Sequence, residues 1–289
     1  MQQIQNPKRF VPPQYGETIT FNNINYYIGG YINRGSFGSV YECADEWGNQ
    51  LVAKVLEPNN GKSYEQIKSE WLLELNNLTQ LRHPNVTFVH NAFECRDTFY
   101  LIVERCDSTL AQLMSQPLFQ GDIWLPYIAR DILHGLEYIH SYGYVHKDLH
   151  AGNIFVSKQF DLMVPTKDPV WSFKIGDLGI SNIEGNIRLF NTIMAQWMLP
   201  PEYLNPHEFG VIGKPVDIYH TGLLLLSILL KQPLSFSNED ILAGKPRMLA
   251  ESLNSPYSFA ISKALIRHTH LRTPSAIQMW REILSVMPK

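Results

Sequence analysis

Cysteine is scarce in this sequence. The 289 residues include only three, Cys43, Cys95 and Cys106, at wide spacings. An odd number of cysteines without a CxxC pair excludes a disulfide scaffold and a zinc site of that type, and it is typical of proteins from a reducing compartment. We therefore expect an intracellular, cytoplasmic protein.

Long apolar runs are missing as well. The longest, Gly222 to Leu230, has nine residues, whereas a transmembrane helix needs about 20. The first segment, MQQIQNPKRFVPPQYGE, lacks the apolar stretch of a signal peptide. The sequence therefore predicts no membrane insertion.

Charge of one sign is not in excess. The formal net charge is −3 at pH 7, so the basic excess of a typical nucleic-acid-binding protein is absent and we expect no nucleic-acid partner. Hydrophobic residues make up 45% of the chain and charged residues 18%, a globular composition that excludes wholesale disorder. This length suits one large domain or two lobes.

The residue pattern changes twice along the chain. Residues 1–25 are polar and contain three prolines, which predicts a loosely held N-terminal arm. Residues 26–106 contain short β-branched and aromatic runs separated by polar turns, with one helical stretch, Ser63–Leu81. Residues 107–289 have mostly helical periodicity. We predict an α+β fold with two lobes and a cleft: a small antiparallel β lobe with one helix, and a larger, mainly helical lobe.

The individual elements follow from the same periodicities. The strands predicted for the smaller lobe are Tyr26–Ile32, Ser39–Ala44, Gln50–Leu56, Val86–Phe93 and Thr98–Glu104. The predicted helices of the larger lobe are Leu110–Met114, Trp124–Ser141, Val216–Leu230, Asn238–Leu242, Tyr257–His268 and Ser275–Val286, with strands at Ile154–Ser157 and Ser172–Ile175.

A glycine-rich turn joins the first two predicted strands. In NRGSFGSV, residues 33–40, Gly35 and Gly38 stand three apart, and glycine lets a backbone turn approach a phosphate with its N–H groups exposed. An ordinary hairpin is the alternative explanation. A strand follows the glycines where a Rossmann fingerprint has a helix, so that motif is excluded.

Lys54 lies on the next strand, within VAKV at residues 52–55. A lysine between small apolar residues is either exposed or bound to an anion with a carboxylate partner. The helix at residues 63–81 offers Glu65, Glu70 and Glu74, and its periodicity alone does not choose among them.

The most informative segment is YVHKDLHAGNIFV, residues 144–156. Asp148 and Asn153 stand five apart in a predicted loop that leads into an apolar strand. A carboxylate there can accept a hydroxyl proton, and an amide oxygen can bind a hard cation. Asp177 follows a second strand, so the two carboxylates and the amide together predict a magnesium site.

In this order, the segments resemble the eukaryotic protein kinase family over nearly the whole chain. The segment HKDLHAGN, residues 146–153, resembles the catalytic loop, and DLG at residues 177–179 stands where the family has Asp-Phe-Gly. PPE at residues 200–202 resembles the Ala-Pro-Glu motif. Asp217 resembles the family's buried aspartate, and Arg272 resembles the late arginine that pairs with the motif's glutamate.

The resemblance implies a smaller lobe that binds ATP. Lys54 is implied as the ligand of the α- and β-phosphates, and Glu74 as its partner because it lies nine residues before the HPN triplet at residues 83–85. The Glu104 carbonyl and the Cys106 amide are the implied adenine partners. The implied nucleotide-binding positions are Ile32, Asn33, Gly35, Ser36, Gly38, Val40, Ala53, Lys54, Glu104, Cys106 and Phe155.

The resemblance also implies the roles of the catalytic loop. Asp148 is the implied base, which orients and deprotonates the acceptor hydroxyl, and it joins Lys54 and Glu74 in the implied catalytic set. Asn153 and Asp177 are the implied magnesium ligands. Positioning and electrostatics then carry the reaction rate.

Several positions depart from the family pattern. Asn33 replaces the first glycine of the glycine-rich loop. Lys147 replaces the arginine before the catalytic aspartate, and lysine lacks the planar fork with which arginine binds a phosphate. His150 stands where serine/threonine kinases usually carry lysine and tyrosine kinases alanine. This position therefore leaves the acceptor hydroxyl undecided.

We predict an ATP- and magnesium-dependent protein kinase that acts on serine or threonine of a protein substrate. A pseudokinase scaffold is one alternative. A small-molecule kinase is another, because DLHAGN also resembles aminoglycoside phosphotransferases, although those relatives lack the PPE and Arg272 features.

Autophosphorylation is a further expectation. The stretch from Asp177 to Glu202 contains two hydroxyl candidates, Ser181 and Thr192. Thr192 lies ten residues before Glu202, near the family's usual activating position. Because Lys147 binds a phosphate less firmly than arginine does, we predict that activity depends on Thr192 within about tenfold.

Overall fold

The computed structural model describes residues 10–35, 38–56, 62–160, 169–178, 181–183 and 198–287. Ser36 and Thr192 lie outside the described residues. The chain forms two compact units. The N-terminal unit comprises Met1–Arg82 and Thr87–Arg105, and the C-terminal unit comprises His83–Val86 and Cys106–Lys289.

A six-stranded antiparallel sheet forms the frame of the N-terminal unit, in the order β1-β2-β3-β4-β6-β5. The predicted strands are confirmed, although β5 begins three residues later than expected. The strands are β1 Thr18–Phe21, β2 Ile24–Gly35, β3 Gly38–Asp45, β4 Gln50–Leu56, β5 Val89–Cys95 and β6 Thr98–Glu104.

Strand β1 corrects the prediction of a loosely held arm for residues 10–25. It pairs with β2, and Ile19 is buried in the core of the unit. The backbone N–H of Val11 donates to Thr98 Oγ1 at 2.9 Å, which holds the chain before β1 as well. A short run of alternating polar and apolar residues is a weak strand signal on its own.

One helix, α1 Tyr64–Gln80, belongs to this unit and confirms the helix predicted there. Ser63 caps its N-terminus in a reciprocal capping box with Gln66, which satisfies two backbone donors. The buried Trp71 indole donates to the carbonyl of Tyr100 at 3.0 Å. This hydrogen bond anchors α1 to β6.

The C-terminal unit is mainly helical, which together with the sheet confirms the α+β class. Its helices are α2 Leu110–Met114, α3 Gly121–Ser141, α4 Pro201–Leu204, α5 Pro206–Phe209, α6 Lys214–Leu230, α7 Asn238–Ala243, α8 Lys245–Ser252, α9 Ser258–Ala264 and α10 Ala276–Leu284. Its strands are β7 Ser108–Thr109, β8 Tyr144–Val145, β9 Ile154–Gln159, β10 Val170–Ile175 and β11 Asn182–Ile183.

Helix α6 forms the centre of this unit. Its side chains are buried on all sides from Val216 to Ile228, as expected for a helix that carries the longest apolar run of the chain. Helices α3 and α9 pack against it. None of the described helices is both long and apolar enough to cross a membrane.

Candidate active site

Lys54 and Glu74 form an ion pair within the N-terminal unit. Lys54 Nζ lies 2.6 Å from Glu74 Oε1, and the two side chains are 15% and 4% exposed. Strand β4 places the lysine opposite Leu101 of β6, next to the residue to which Trp71 anchors α1. The sheet and the helix therefore fix both ends of the pair.

The other two glutamates of α1 face elsewhere. Glu70 pairs with Lys62 at 2.6 Å, and Glu65 lies exposed in the first turn. The structure thus brings Lys54 together with Glu74, the glutamate that the family spacing indicated.

The strand register corrects the assignment of Ala53. Ala53 is fully buried in the core of the N-terminal unit, together with Ile28, Tyr100 and Ile102. Because successive side chains of a strand point to opposite faces, Lys54 lies on the other face of β4, and Val52 shares that face. Alternation from Lys54 would have indicated Val52 from the sequence.

The glycine-rich turn closes the hairpin of β2 and β3. Gly35 stands opposite Gly38, and Asn33 stands opposite Val40, whose other neighbour across the sheet is Lys54. Gly38 has a φ of 154°, and a Cβ at this position would lie 2.0 Å from the Val55 carbonyl oxygen. Only glycine fits this close backbone approach.

The remaining nucleotide positions occupy separate elements. In the N-terminal unit, Ile32 lies on β2 and is 45% exposed, and Glu104 ends β6. The Glu104 carboxylate accepts a hydrogen bond from the Phe88 N–H at 2.7 Å. In the C-terminal unit, Cys106 is partly buried and Phe155 lies partly buried on β9. Their roles toward a nucleotide stay predictions.

Buried Asp217 anchors the loop at residues 146–153. Its Oδ2 accepts hydrogen bonds from the His146 N–H and from His140 Nε2, both at 2.8 Å, and its Oδ1 accepts one from the Lys147 N–H at 2.7 Å. Burial alone raises the pKa of this carboxyl, but these hydrogen bonds outweigh it and leave the pKa below its usual value. Asp217 thus fixes the backbone just before Asp148.

His146 fixes the same loop from the other side. The Asp148 N–H donates to His146 Nδ1 at 3.2 Å, so this nitrogen is unprotonated. The proton therefore resides on Nε2, which donates to the Gly176 carbonyl at 3.0 Å. The ring joins the loop to the segment that carries Asp177.

An antiparallel hairpin brings Asn153 beside that segment. Ile154, the first residue of β9, stands opposite Ile175, the last residue of β10. The Gly176 N–H donates to the Asn153 carbonyl at 2.9 Å, immediately before Asp177. The register of these two strands therefore brings Asn153 next to Gly176, one residue before the second predicted metal ligand, Asp177.

Asn153 orients the Asp148 side chain. Its amide nitrogen donates to the Asp148 carbonyl at 2.9 Å and to Asp148 Oδ2 at 3.1 Å. The other carboxylate oxygen, Oδ1, accepts no hydrogen bond among the described residues. Burial raises the pKa of this carboxyl, as does the charge of Asp177, while His150 and His146 oppose the rise. Asp148 is thus a positioned carboxylate with one acceptor oxygen unused.

His150 faces that unused oxygen. Its Nε2 lies 3.4 Å from Asp148 Oδ1, and its Nδ1 accepts the Gly152 N–H at 3.0 Å. The second bond assigns the ring proton to Nε2. A Cβ on Gly152 would lie 2.8 Å from His150 Cε1, so the small residue gives the ring its space. Sequence reasoning noted His150 as a departure but missed this contact.

Lys147 is buried without a carboxylate partner for its ammonium group among the described residues. It is 2% exposed and has a left-handed φ of 70°. Burial lowers its pKa to about 8, and the charge of Asp217 only partly opposes this.

The glutamate of the PPE segment and Arg272 form the second buried ion pair. Arg272 donates to both oxygens of Glu202, at 2.7 and 2.9 Å, and both side chains are 0% exposed. Its remaining donors reach the carbonyls of Ile266, Pro215 and Arg267. All five guanidinium hydrogens are therefore used.

Ser181, one of the two expected phosphorylation sites, is fully buried. Its backbone N–H donates to the Leu178 carbonyl at 3.1 Å. Because a phosphoacceptor hydroxyl must reach an active site, phosphorylation of Ser181 would require this side chain to become accessible, and it stays a prediction. Thr192 stays a prediction outside the described residues.

The residues around Asp177 fit a magnesium ion. Within the described part of the chain, no three His, Cys, Asp or Glu side chains converge in a metal-binding cluster. Magnesium, however, typically takes one or two carboxylates together with substrate phosphates. Asp177 supplies a carboxylate, and Asn153 can offer its amide oxygen, since its hydrogen bonds to Asp148 are made by the amide nitrogen.

Comparison with known proteins decides the family. A profile of the protein kinase domain matches residues 26–289. The chain belongs to the protein kinase domain family. This kinase domain is 28% identical over 209 residues, or 71% of the chain, to serine/threonine-protein kinase TAO3 from Pongo abelii. It is 28% identical over 251 residues, or 81% of the chain, to cyclin-dependent kinase 12 from Caenorhabditis elegans.

These relatives are much longer proteins. The matched regions cover 22% of the TAO3 sequence and 32% of the cyclin-dependent kinase 12 sequence. In cyclin-dependent kinase-like 1 from Caenorhabditis elegans, 29% identical over 216 residues, the match covers 73% of this kinase domain and 56% of the relative. The similarity therefore concerns only part of each relative's length.

Proposed function

We propose that this kinase domain transfers the γ-phosphate of ATP to a serine or threonine hydroxyl of a protein substrate, with magnesium. The observation that carries the proposal is the arrangement of Asp148, whose Oδ2 is held by Asn153 while its Oδ1 accepts no hydrogen bond among the described residues. Such a carboxylate is suited to accept the proton of an acceptor hydroxyl. The name of one relative, serine/threonine-protein kinase TAO3, supports this acceptor class.

In the N-terminal unit, Lys54 binds the α- and β-phosphates in this proposal. Glu74 holds the ammonium group at 2.6 Å, so the lysine is oriented before the nucleotide arrives. The glycine hairpin from Gly35 to Gly38 lets backbone N–H groups approach the phosphates. Val52, on the face of Lys54, replaces Ala53 as the small apolar residue against adenine, with Ile32, Val40, Glu104, Cys106 and Phe155 as the other predicted contacts.

In the C-terminal unit, Asp148 orients the acceptor hydroxyl and takes up its proton. Asn153 and Asp177 hold magnesium through oxygen atoms. When bound, magnesium neutralises charge that develops on the transferred group. Asp217 and His146 keep the loop in place, because their hydrogen bonds fix the backbone at Asp148 and at the two residues before it.

The two alternatives each lack support from a specific contact. A pseudokinase scaffold has no need for the Lys54–Glu74 ion pair, which is formed here. A small-molecule kinase of the aminoglycoside phosphotransferase type lacks the PPE and Arg272 features, which here form a buried bidentate pair. We also propose lobe boundaries at residues 26–106 and 107–289, and a cytoplasmic location for the protein.

Radiolabelled ATP tests the proposal directly. The purified chain is incubated with magnesium and [γ-³²P]ATP, together with casein, a serine- and threonine-containing peptide mixture, or a panel of hydroxylated metabolites. Asp148→Asn should lower protein phosphorylation by roughly 10²–10⁴-fold. Calorimetric titration should show that Asp148→Asn keeps binding of magnesium–ATP while Asp177→Asn weakens it.

Each contrary result has one meaning. Labelled metabolites with unlabelled protein contradict the protein acceptor. Absence of all transfer, with nucleotide still bound, favours the scaffold. Equal loss of nucleotide affinity in both variants contradicts the separate roles of Asp148 and Asp177.

A further inference from the structure

A cavity of about 440 Å³ opens in the C-terminal unit beside the catalytic loop. Residues His150 to Gly152 of the loop form one wall. Helix α2, and the C-terminal half of α6 with the segment after it, form the others. The apolar residues that line it are Ala111, Met114, Ala151, Leu224, Pro233 and Leu234.

The cavity lies one side chain away from Asp148. His150 lines the cavity, and its Nε2 is 3.4 Å from Asp148 Oδ1. An extended peptide advances about 3.3 Å per residue. A group seated in the cavity is therefore only a few residues away, along a bound peptide, from a hydroxyl placed at Asp148.

The cavity is lined by a positive charge and by no negative one. Lys231 lines it at the C-terminal cap of α6 and is exposed, and no carboxylate pairs with it in the described part of the chain. No aspartate or glutamate is among the residues that line the cavity. A cation is favourable at a helix C-terminus, and this explains why Lys231 stands at the end of α6. It does not explain the apolar cavity beside Lys231.

We infer that this cavity binds the acceptor protein next to its phosphorylated residue, taking an apolar side chain, while Lys231 pairs with an acidic side chain beside it. The inference rests on the proposed function. Apolar lining favours burial of a leucine-sized group over a charged one. The unpaired ammonium selects an acidic neighbour and repels a basic one.

Positional-scanning peptides test this specificity. Each peptide has one serine in an alanine–glycine background, and one of the three positions on either side is fixed as Leu, Glu, Arg or Ala. Phosphorylation with [γ-³²P]ATP gives kcat/KM for each peptide. We expect leucine at one position and glutamate at a neighbouring one to raise kcat/KM by about tenfold over alanine, and arginine to lower it.

Two variants locate the preference. Lys231→Glu should reverse the glutamate–arginine preference, a change of about tenfold or more in the ratio of kcat/KM values. Ala111→Phe places a large ring at the exposed rim of the cavity and should lower kcat/KM for the leucine peptide to that of the alanine peptide, with KM for ATP unchanged. Arg281→Glu, at an exposed position of α10 outside the cavity, is the control for net charge and should leave every preference unchanged.

Casein phosphorylation distinguishes failure of this inference from failure of the proposed function. If casein is labelled but flanking residues have no effect, or if Lys231→Glu retains the wild-type preference, the inference is wrong and the kinase assignment stands. If neither casein nor any peptide is labelled, the proposed function fails, and the inference fails with it.

Discussion

The two ion pairs that the family pattern identified lie in very different surroundings. Lys54 and Glu74 share one close contact, and the lysine end is 15% exposed. Arg272 and Glu202 share two, are 0% exposed, and are surrounded by three further carbonyl acceptors. The first pair holds a charge where a ligand can reach it. In the second pair, all N–H groups of Arg272 already donate within the protein, so none is left for a ligand.

The difference distinguishes a buried ion pair that stabilises the fold from a partly exposed ion pair that the fold holds ready for a ligand. A fully buried pair becomes costly when one partner is removed, because the other charge stays in a low-dielectric interior. A pair that borders solvent costs less, since water can replace the missing partner. Variants of the two pairs should therefore separate stability from activity.

The largest effect is expected for Arg272→Ala. Removal of the guanidinium leaves the buried Glu202 carboxylate without its ion-pair partner, so the free energy of unfolding should fall by about 3–5 kcal/mol. Urea denaturation followed by circular dichroism measures this. Arg247→Ala, which removes an exposed i,i+4 pair with Glu251, is the matched control and should change it by about 0.5 kcal/mol or less. Equal effects of the two variants would contradict the structural role of Arg272.

Lys54→Met should lower activity strongly and stability only slightly. Methionine fills similar space without charge, so phosphate transfer to casein should fall by about 10²-fold or more, or roughly 3 kcal/mol of activation free energy. The free energy of unfolding should fall by about 1–2 kcal/mol, less than for Arg272→Ala, because the lost ammonium group borders solvent although the remaining Glu74 carboxylate is buried. Parallel kinase assays and urea titrations measure the two quantities. A folded variant with wild-type transfer would exclude Lys54 from the phosphate site.

Much of this arrangement could be predicted from the sequence. The periodicity of residues 216–230 predicted α6, and the spacing of HKDLHAGN and DLG predicted which loops carry Asp148, Asn153 and Asp177. Local patterns succeed here because each element uses its ordinary propensities and a buried apolar face.

The failures have equally local causes. Ala53 was included among the nucleotide-binding positions because a motif was matched without following the alternation of side chains from Lys54. Helix α8 was missed because Gly244 and Pro246 resemble a break, although proline is well tolerated in the first helical turn. The Gly152–His150 contact depends on a bend within the catalytic loop, which periodicity does not encode.

Lys147 extends the comparison to a charge that the fold buries without a partner. Its pKa in the folded chain is about 8, below the usual lysine value, so between these two pH values the unfolded chain binds more protons. The free energy of unfolding should therefore rise with pH across that window, and the burial cost is fully present below pH 8. Lys147→Met should stabilise the chain by about 2 kcal/mol at pH 7.

Urea denaturation at pH 7, 8.5 and 10 tests this, with wild type and variant compared at each pH. Other groups titrate equally in both proteins, so the difference between them isolates Lys147. It should shrink as the pH rises. A constant difference, or a destabilised Lys147→Met, would mean that the ammonium group has a favourable partner in the folded chain.

The smallest effect is expected from Gly152, which acts on activity by positioning the His150 ring and contributes little to stability. Gly152→Ala would place a Cβ 2.8 Å from His150 Cε1, so the ring must shift, and we expect this to disturb its 3.4 Å contact with Asp148 Oδ1. We expect kcat to fall by about threefold to tenfold, or up to about 1.4 kcal/mol, with little change in the free energy of unfolding. His150→Ala should lower kcat by a similar factor. If glycine acts only through the ring, the double variant loses no more than His150→Ala alone, because the two changes remove one interaction. Additive losses would assign Gly152 a separate role in the backbone of the loop.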